Sequence, residues 1–324
     1  MKAAKAILRA PETITLLLLV VSIIIGSVMS PYFLDVEYLL DKTSEIIPVG
    51  FLALAMTFII ISGNIDLSVA SGSVLTAVTC AIAFENGLPM PLVIVLALLL
   101  GSALGLFNGL LVTRLKLPSL VVTLGTLALY RGLAQVLIGE RAIRGFPSWF
   151  AGVDYVKFSI IPLPLILMLV MAILAHVILT WTTFGRRVYA IGTNESASFY
   201  SGINTKRTKL LIFTLSGLCM GIAALLLMSM RPVDYKQLRG GELLAITAVV
   251  LGGTSIVGGR GRILGTILAI LLLVCVTSAM GVANVRVENR LAVIGALLVG
   301  AVLLTDLTGW LFAHSRKKLE VSGA

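Results

Sequence analysis

The sequence predicts an all-α, polytopic membrane protein of about ten transmembrane helices, some of them broken, with both termini in the cytoplasm. Three observations predict it. Apolar residues make up 58% of the chain and charged residues only 12%, against ~45–50% and ~25% in soluble domains. So few charges cannot cover a water-exposed surface, and the mean hydropathy is +1.07. Apolar windows recur along the whole length, as membrane spans require. Lys and Arg gather on one side of those windows.

The windows, in order, fall near 14–30, 46–62, 67–84, 90–112, 118–138, 160–182, 210–230, 243–257, 263–281 and 291–312. Lys2, Lys5 and Arg9 precede the first, giving it the look of a signal peptide. No small-x-small cleavage pattern follows, so it is read as a retained span. Several windows are shorter than the ~20 residues of a direct crossing, and short, Gly-rich spans suit the broken helices of transporters. With ten spans and an inner N-terminus, 15 of the 25 Lys and Arg fall inside, nine fall outside, and Arg131 stays within a span. Ten of the 15 acids fall outside. Moving the count by one span would scramble this asymmetry. The net charge of +10 is thus a topology signal and an attraction to anionic lipid. No basic–aromatic pattern points to nucleic acid.

No linker divides residues 1–324, which read as one transmembrane domain. Cys80, Cys219 and Cys275 lie in apolar stretches and fit neither a disulfide framework nor a zinc site. There is a faint internal echo. Glu45 opens a span that ends at the turn around Gly63. Glu242 opens one that ends in "GGTSIVGGRG", residues 252–261. The pair hints at duplicated hairpins.

Polar residues are concentrated in a few places. In "ISGNIDLSVASGSVL", residues 61–75, Asn64 and Asp66 stand at the inner mouth of the third span. Either can cap its free N–H groups, while Ser68, Ser71 and the glycines offer hydroxyls and close approach. Asp66 has two readings, a cap or a gate hinge. Thr123, Thr126 and Tyr130 share one helix face. Arg131, toward the outer leaflet, either snorkels or pairs with an outer acid. Asn108 reads as a cavity donor or as an interhelical hydrogen bond. The inner loop 183–210 has a short helix at its middle. Asn194 suits its cap, Glu195 its first turn and Gly202 its stop. Ser196 and its neighbours are small, whereas Phe199 and Tyr200 form knobs. Arg186, Arg187, Lys206, Arg207 and Lys209 flank it. Such a helix either inserts into a partner or rests on headgroups. The Gly-rich turn with Arg260 and Arg262 is not a P-loop, because no Gly-Lys dipeptide occurs. His176 and His314 belong to no hydrolase pattern.

Four segments resemble the permease subunits of bacterial ABC importers for ribose and related sugars, a group that includes xylose, rhamnose and autoinducer importers. They are "SGNIDLSVASGSVL" (62–75), "VTLGTLALYRGLA" (122–134), "FGRRVYAIGTNESASFYSGINTKR" (184–207) and "AITAVVLGGTSIVGGRGRILGT" (245–266). Where "GGIDLSVGS" is usual in that family, Asn64 and Ala70 replace two glycines. The resemblance implies a multi-pass protein of the bacterial inner membrane that has no ATPase site of its own. It implies two cytoplasmic ABC ATPase subunits, a second permease chain in a homo- or heterodimer, and a periplasmic sugar-binding protein. Transport of a sugar by alternating access is expected, without cofactor or metal.

The resemblance also assigns the 183–209 loop to ATPase coupling, through Asn194, Glu195, Ser196, Phe199, Tyr200 and Gly202. Asn64, Asp66, Ser68, Ser71, Asn108, Thr126, Tyr130 and Arg131 are candidates for the translocation pathway or its gate. Arg141, Arg144, Arg231, Lys236 and Arg239 are either docking charges for the binding protein or solvated loop charges. An ion-coupled secondary transporter is the rival reading.

Overall fold

The computed structural model describes residues 12–286 and, beyond them, 289, 292–297, 299, 300 and 303. Lys2, Lys5, Arg9, Glu288, Arg290, His314, Arg316, Lys317, Lys318 and much of the last expected span, 291–312, lie outside the described residues.

The described helices are α1 (Glu12–Met29), α2 (Val36–Ile61), α3 (Val69–Glu85), α4 (Met90–Arg114), α5 (Ser119–Ile138), α6 (Leu163–Trp181), α7 (Thr183–Thr193), α8 (Glu195–Tyr200), α9 (Thr205–Met230), α10 (Gly241–Leu251) and α11 (Ile263–Val282). A two-residue hairpin, β1 (Lys157–Phe158) with β2 (Ile161–Pro162), precedes α6. Six of these helices, α2, α4, α5, α6, α9 and α11, are long and apolar enough to cross a membrane; α1, α3 and α10 are apolar but shorter.

Several boundaries differ from the hydropathy windows for local reasons. α2 begins ten residues before its window. Asp35 caps it, its Oδ1 accepting from the Glu37 and Tyr38 N–H groups at 2.9 and 3.3 Å. Glu45 is therefore not a span opener. It lies inside α2, paired with Lys42 at 2.7 Å. α9 likewise starts five residues early, at a turn capped by Asn204. A hydropathy window passes over such charged first turns.

α2 forms the centre. From Thr43 to Ile61 nearly every side chain is buried, within a cluster shared with α6, α9, α10 and α11. A second cluster joins α3, α4 and α5 to the far half of α9. The outer faces of α4, α5 and α6 carry exposed Leu, Val, Ile and Phe, among them Leu99, Phe107, Val121, Val136 and Ile173. An apolar exterior of this kind is stable only against lipid.

α4 and α9 cross at backbone contact. A Cβ at Gly101 would stand 2.5 Å from Gly217 O and 2.6 Å from Gly221 N; one at Gly105 would overlap Phe213 O. This is small-xxx-small packing, Gly101/Gly105 against Gly217/Gly221. The seam holds Asn108, on α4, beside the start of α3.

Of the hairpin echo, only the two glycine turns correspond. α2 and α10 end in the same Schellman motif. Gly63 N donates to Ile60 O and Asn64 N to Ile59 O, at 2.9 and 3.1 Å. Gly253 N donates to Val250 O and Thr254 N to Val249 O, at 2.9 and 3.2 Å. Gly63 and Gly253 supply the positive φ, +76° and +85°.

Candidate functional site

The 61–75 segment leaves α2 through its Gly63 turn and re-enters helix at Val69. Asp66 forms the entry. Its Oδ1 accepts from Ser68 N at 2.9 Å and from Ser68 Oγ at 2.7 Å, an Asx-type turn three residues before the helix. Ser68 Oγ in turn accepts from Asn108 Nδ2 at 2.8 Å. Tyr130 OH donates to Leu104 O at 3.1 Å and reaches Asn108 Oδ1 at 3.4 Å. Ser71 Oγ donates to Ser68 O at 3.0 Å. The fold thus gathers Asp66 and Ser68, ahead of α3, with Ser71 of α3, Asn108 of α4 and Tyr130 of α5 into one buried chain of hydrogen bonds. Asp66 is fully buried, and its Oδ2 has no hydrogen-bond partner; neither has the buried Ser216 hydroxyl beside it.

Three pathway candidates lie apart. Asn64 does not cap α3. Its amide folds back on Ser62, donating to Ser62 O at 3.1 Å and Ser62 Oγ at 3.0 Å, because the Schellman turn aims it toward α2. Thr126 bonds within its own helix. Arg131 neither snorkels nor pairs closely with an acid. Its Nη1 donates to Tyr235 O at 2.9 Å and Gln237 O at 2.7 Å, and its Nη2 to Leu238 O at 3.4 Å. These carbonyls converge on it because Leu238 and Gly240 hold positive φ, +50° and +76°. Sequence reading missed this contact, since its partners are main-chain atoms more than 100 residues away.

At the same end of the bundle as Arg131's loop, Glu140 accepts from Tyr235 OH at 2.7 Å and pairs with Lys236 at 2.9 Å. The Lys236 ammonium, helped by the Tyr235 hydroxyl, holds the exposed Glu140 carboxyl below the usual carboxylate range. Arg141 pairs with Glu85 at 2.9 Å. Two of the expected docking charges thus already have partners within the chain.

The opposite end carries the 183–209 loop. It is more helical than the sequence suggests. α7 precedes the expected short helix, begun by the Thr182 hydroxyl accepting from Gly185 N. Gly185, Gly192 and the Arg186–Arg187 pair had disguised it as coil. The short helix itself is α8. Asn194 Oδ1 accepts from Ala197 N at 2.9 Å, and Gly202, at φ +85°, ends the helix. Glu195 pairs with Lys209 of α9 at 2.6 Å. Ser196 faces solvent, Ser198 is buried, and the two aromatic knobs stand out, Phe199 61% and Tyr200 86% exposed. Their rings meet edge to face at 5.7 Å.

A cavity of about 620 Å³ opens beside α8. It lies between the Gly63–Ile65 turn, the α4–α5 turn and the start of α9, and Asn64, Ser119, Lys116, Lys206 and Lys209 are among its lining. Of the eight pathway candidates, Asn64 alone lines this cavity. Among the described residues no group of His, Cys, Asp and Glu is placed to hold a metal ion.

Residues 38–302 match a family described as branched-chain amino acid transport system / permease component. The autoinducer 2 import system permease protein LsrD of Escherichia coli strain K12 is 38% identical over 295 residues, covering 88% of this chain and 89% of the relative. The protein of the same name from Shigella flexneri matches to the same extent. No solved structure matches the chain.

Proposed function

Because the chain belongs to the family of branched-chain amino acid transport system permease components, and is a multi-pass protein of the bacterial inner membrane, we propose that it is one permease chain of an ATP-driven importer for a sugar or sugar-like solute. The LsrD relatives are named for autoinducer 2 import, which supports a sugar-like solute as the substrate.

The observation that carries this reading is α8. A capped six-residue helix bears two exposed aromatic rings at the end of the bundle where the loops are rich in Lys and Arg. Exposed aromatics on a short, rigid element are the usual anchors of a protein contact. Under the positive-inside rule that end is cytoplasmic, where an ATPase works. In this mechanism two ATPase subunits close on binding ATP. α8 passes their movement to the spans, and the solute brought by a periplasmic binding protein crosses between two permease chains. ATP acts through its different affinity for the two conformations, so the permease itself needs only two packed states.

The test changes Phe199 and Tyr200 to Ala. Uptake should fall at least tenfold while the amount of folded permease stays the same. Unchanged uptake would refute the coupling role. Co-purification in mild detergent identifies the partners: an ATPase at equal stoichiometry supports the class, and a second permease chain marks a heterodimer.

One observation favours a second reading, an ion-coupled carrier. Asp66 is buried with a free carboxylate oxygen, a common feature of ion-coupled sites. Uptake into proteoliposomes that contain the permease alone, driven by a proton or sodium gradient, would favour this alternative.

A further inference from the structure

The last turn of α7 is wedged between the end of α2 and the loop after α10, with no side chain separating the three. A Cβ on Gly192 would overlap the Ile61 carbonyl oxygen and lie 2.6 Å from Gly259 N. Gly259 N donates to that same Ile61 oxygen at 2.8 Å. A Cβ on Gly258 would stand 3.0 Å from Gly192 O and 3.0 Å from Gly63 N; one on Gly259 would stand 2.7 Å from Thr193 Oγ1 and 3.1 Å from Thr193 Cα. One turn earlier, Tyr189 OH donates to Gly261 O at 2.7 Å.

Each of the three segments leads somewhere different. From Gly63 the chain runs through Asp66 into α3. From Gly259 it runs into α11. From Gly192 it runs through Asn194 into α8. Side chains packed between segments can change rotamer and let one slide past another. Main chains in direct contact have no such freedom, since close-packed atoms can only overlap or separate. The carbonyl of Ile61 is moreover held by a hydrogen bond as well as by contact.

We propose that Gly192, with Gly63, Gly258 and Gly259, forms a rigid three-way main-chain joint that carries any displacement of α8 to both glycine turns at once. The proposal rests on the coupling role of α8 given above. In it Gly192 is a positioning residue. It touches neither solute nor nucleotide, and it makes α7–α8 and the two turns one body. The joint brings glycines from three segments, far apart in sequence, to one point.

The test uses the assembled complex of permease, ATPase and binding protein in proteoliposomes. Uptake of ribose or autoinducer 2, whichever the wild-type complex carries, is measured together with ATP hydrolysis. Gly192→Ala forces the segments apart. Uptake should fall at least tenfold while hydrolysis stays within about twofold, so that solute moved per ATP drops. If both fall in proportion to the complex recovered, Gly192 is merely structural and the proposal is wrong.

A gentler variant keeps the question open to decision where Gly192→Ala folds poorly. Tyr189→Phe removes one hydrogen bond and should lower the uptake-to-hydrolysis ratio by two- to fivefold at unchanged complex yield; an unchanged ratio counts against the joint. Failure of the coupling reading itself shows separately, as unchanged uptake in the Phe199 and Tyr200 variants.

Discussion

Asp66 gives the sharpest test of the polar core. In Asp66→Ala, the Ser68 amide and hydroxyl both lose their acceptor at a site with no access to water. An orphaned buried N–H costs about 1–3 kcal/mol. Asp66→Ala should therefore cost about 1–3 kcal/mol. Asp66→Asn keeps a carbonyl oxygen where Oδ1 stands and removes a carboxylate whose Oδ2 has no hydrogen bond. The Ser216 hydroxyl lies beside this carboxyl and offers an acceptor to the new amide. Asp66→Asn should equal or exceed the wild type. Thermal unfolding of the detergent-purified permease, followed by intrinsic fluorescence, reads the difference. Asp66→Ala should lower Tm by roughly 2–6 °C at the ~2 °C per kcal/mol typical of larger domains. If Asp66→Asn unfolds as early as Asp66→Ala, the charge itself is needed, and the acceptor argument fails.

Other predictions follow from the same geometry. Gly105→Ala should cost about 3 kcal/mol or more, because its Cβ would overlap Phe213 O. Gly125→Ala and Gly132→Ala, which meet nothing within 4 Å, should leave the yield of folded permease unchanged; equal losses at all three would disprove the seam. Arg131→Ala should raise hydrogen exchange of the 235–240 amides roughly 10–100-fold, given about 1.5–3 kcal/mol for hydrogen bonds from a charged group. Glu140 is held below its unfolded pKa, so its tie to Lys236 should be fully present above about pH 4.3. The tie should fade as pH falls through the lower folded value; exchange at 234–238 should follow that course in the wild type and stay flat in Glu140→Gln.

Local chemistry was readable in the sequence, and long-range chemistry was not. The ends of α8 were written in Asn194 and Gly202, because a cap and the group it satisfies lie within a few residues; Asp66, expected as a cap, instead turns the chain ahead of α3, whose N-cap Ser68 makes no side-chain cap bond. The turn at Gly63 was legible for the same reason. The early start of α2 was hidden because its first turns, with Glu37, Asp41 and Lys42, are too polar for a hydropathy window, although Asp35 was available as a cap. The α4–α9 seam was visible in principle as glycines spaced four apart at 101, 105 and 109 and at 217 and 221, but nothing local says which helix meets which. Arg131 was misread for a deeper reason. Its acceptors are carbonyls, and every residue has one.

The glycine seam also fixes where this protein can and cannot open. It ties the block built on α2, α10 and α11 to the block built on α3, α4 and α5, and α9 belongs to both. With backbones already touching, there is no gap to widen and no side chain to swing aside. On the proposed two-chain reading, a solute passage would therefore not run along this α4–α9 seam. It would run at the periphery, where α5 turns Gly125, Ala128, Gly132 and Gln135 outward. In engineering terms the seam is a welded joint, and any moving clearance lies away from it.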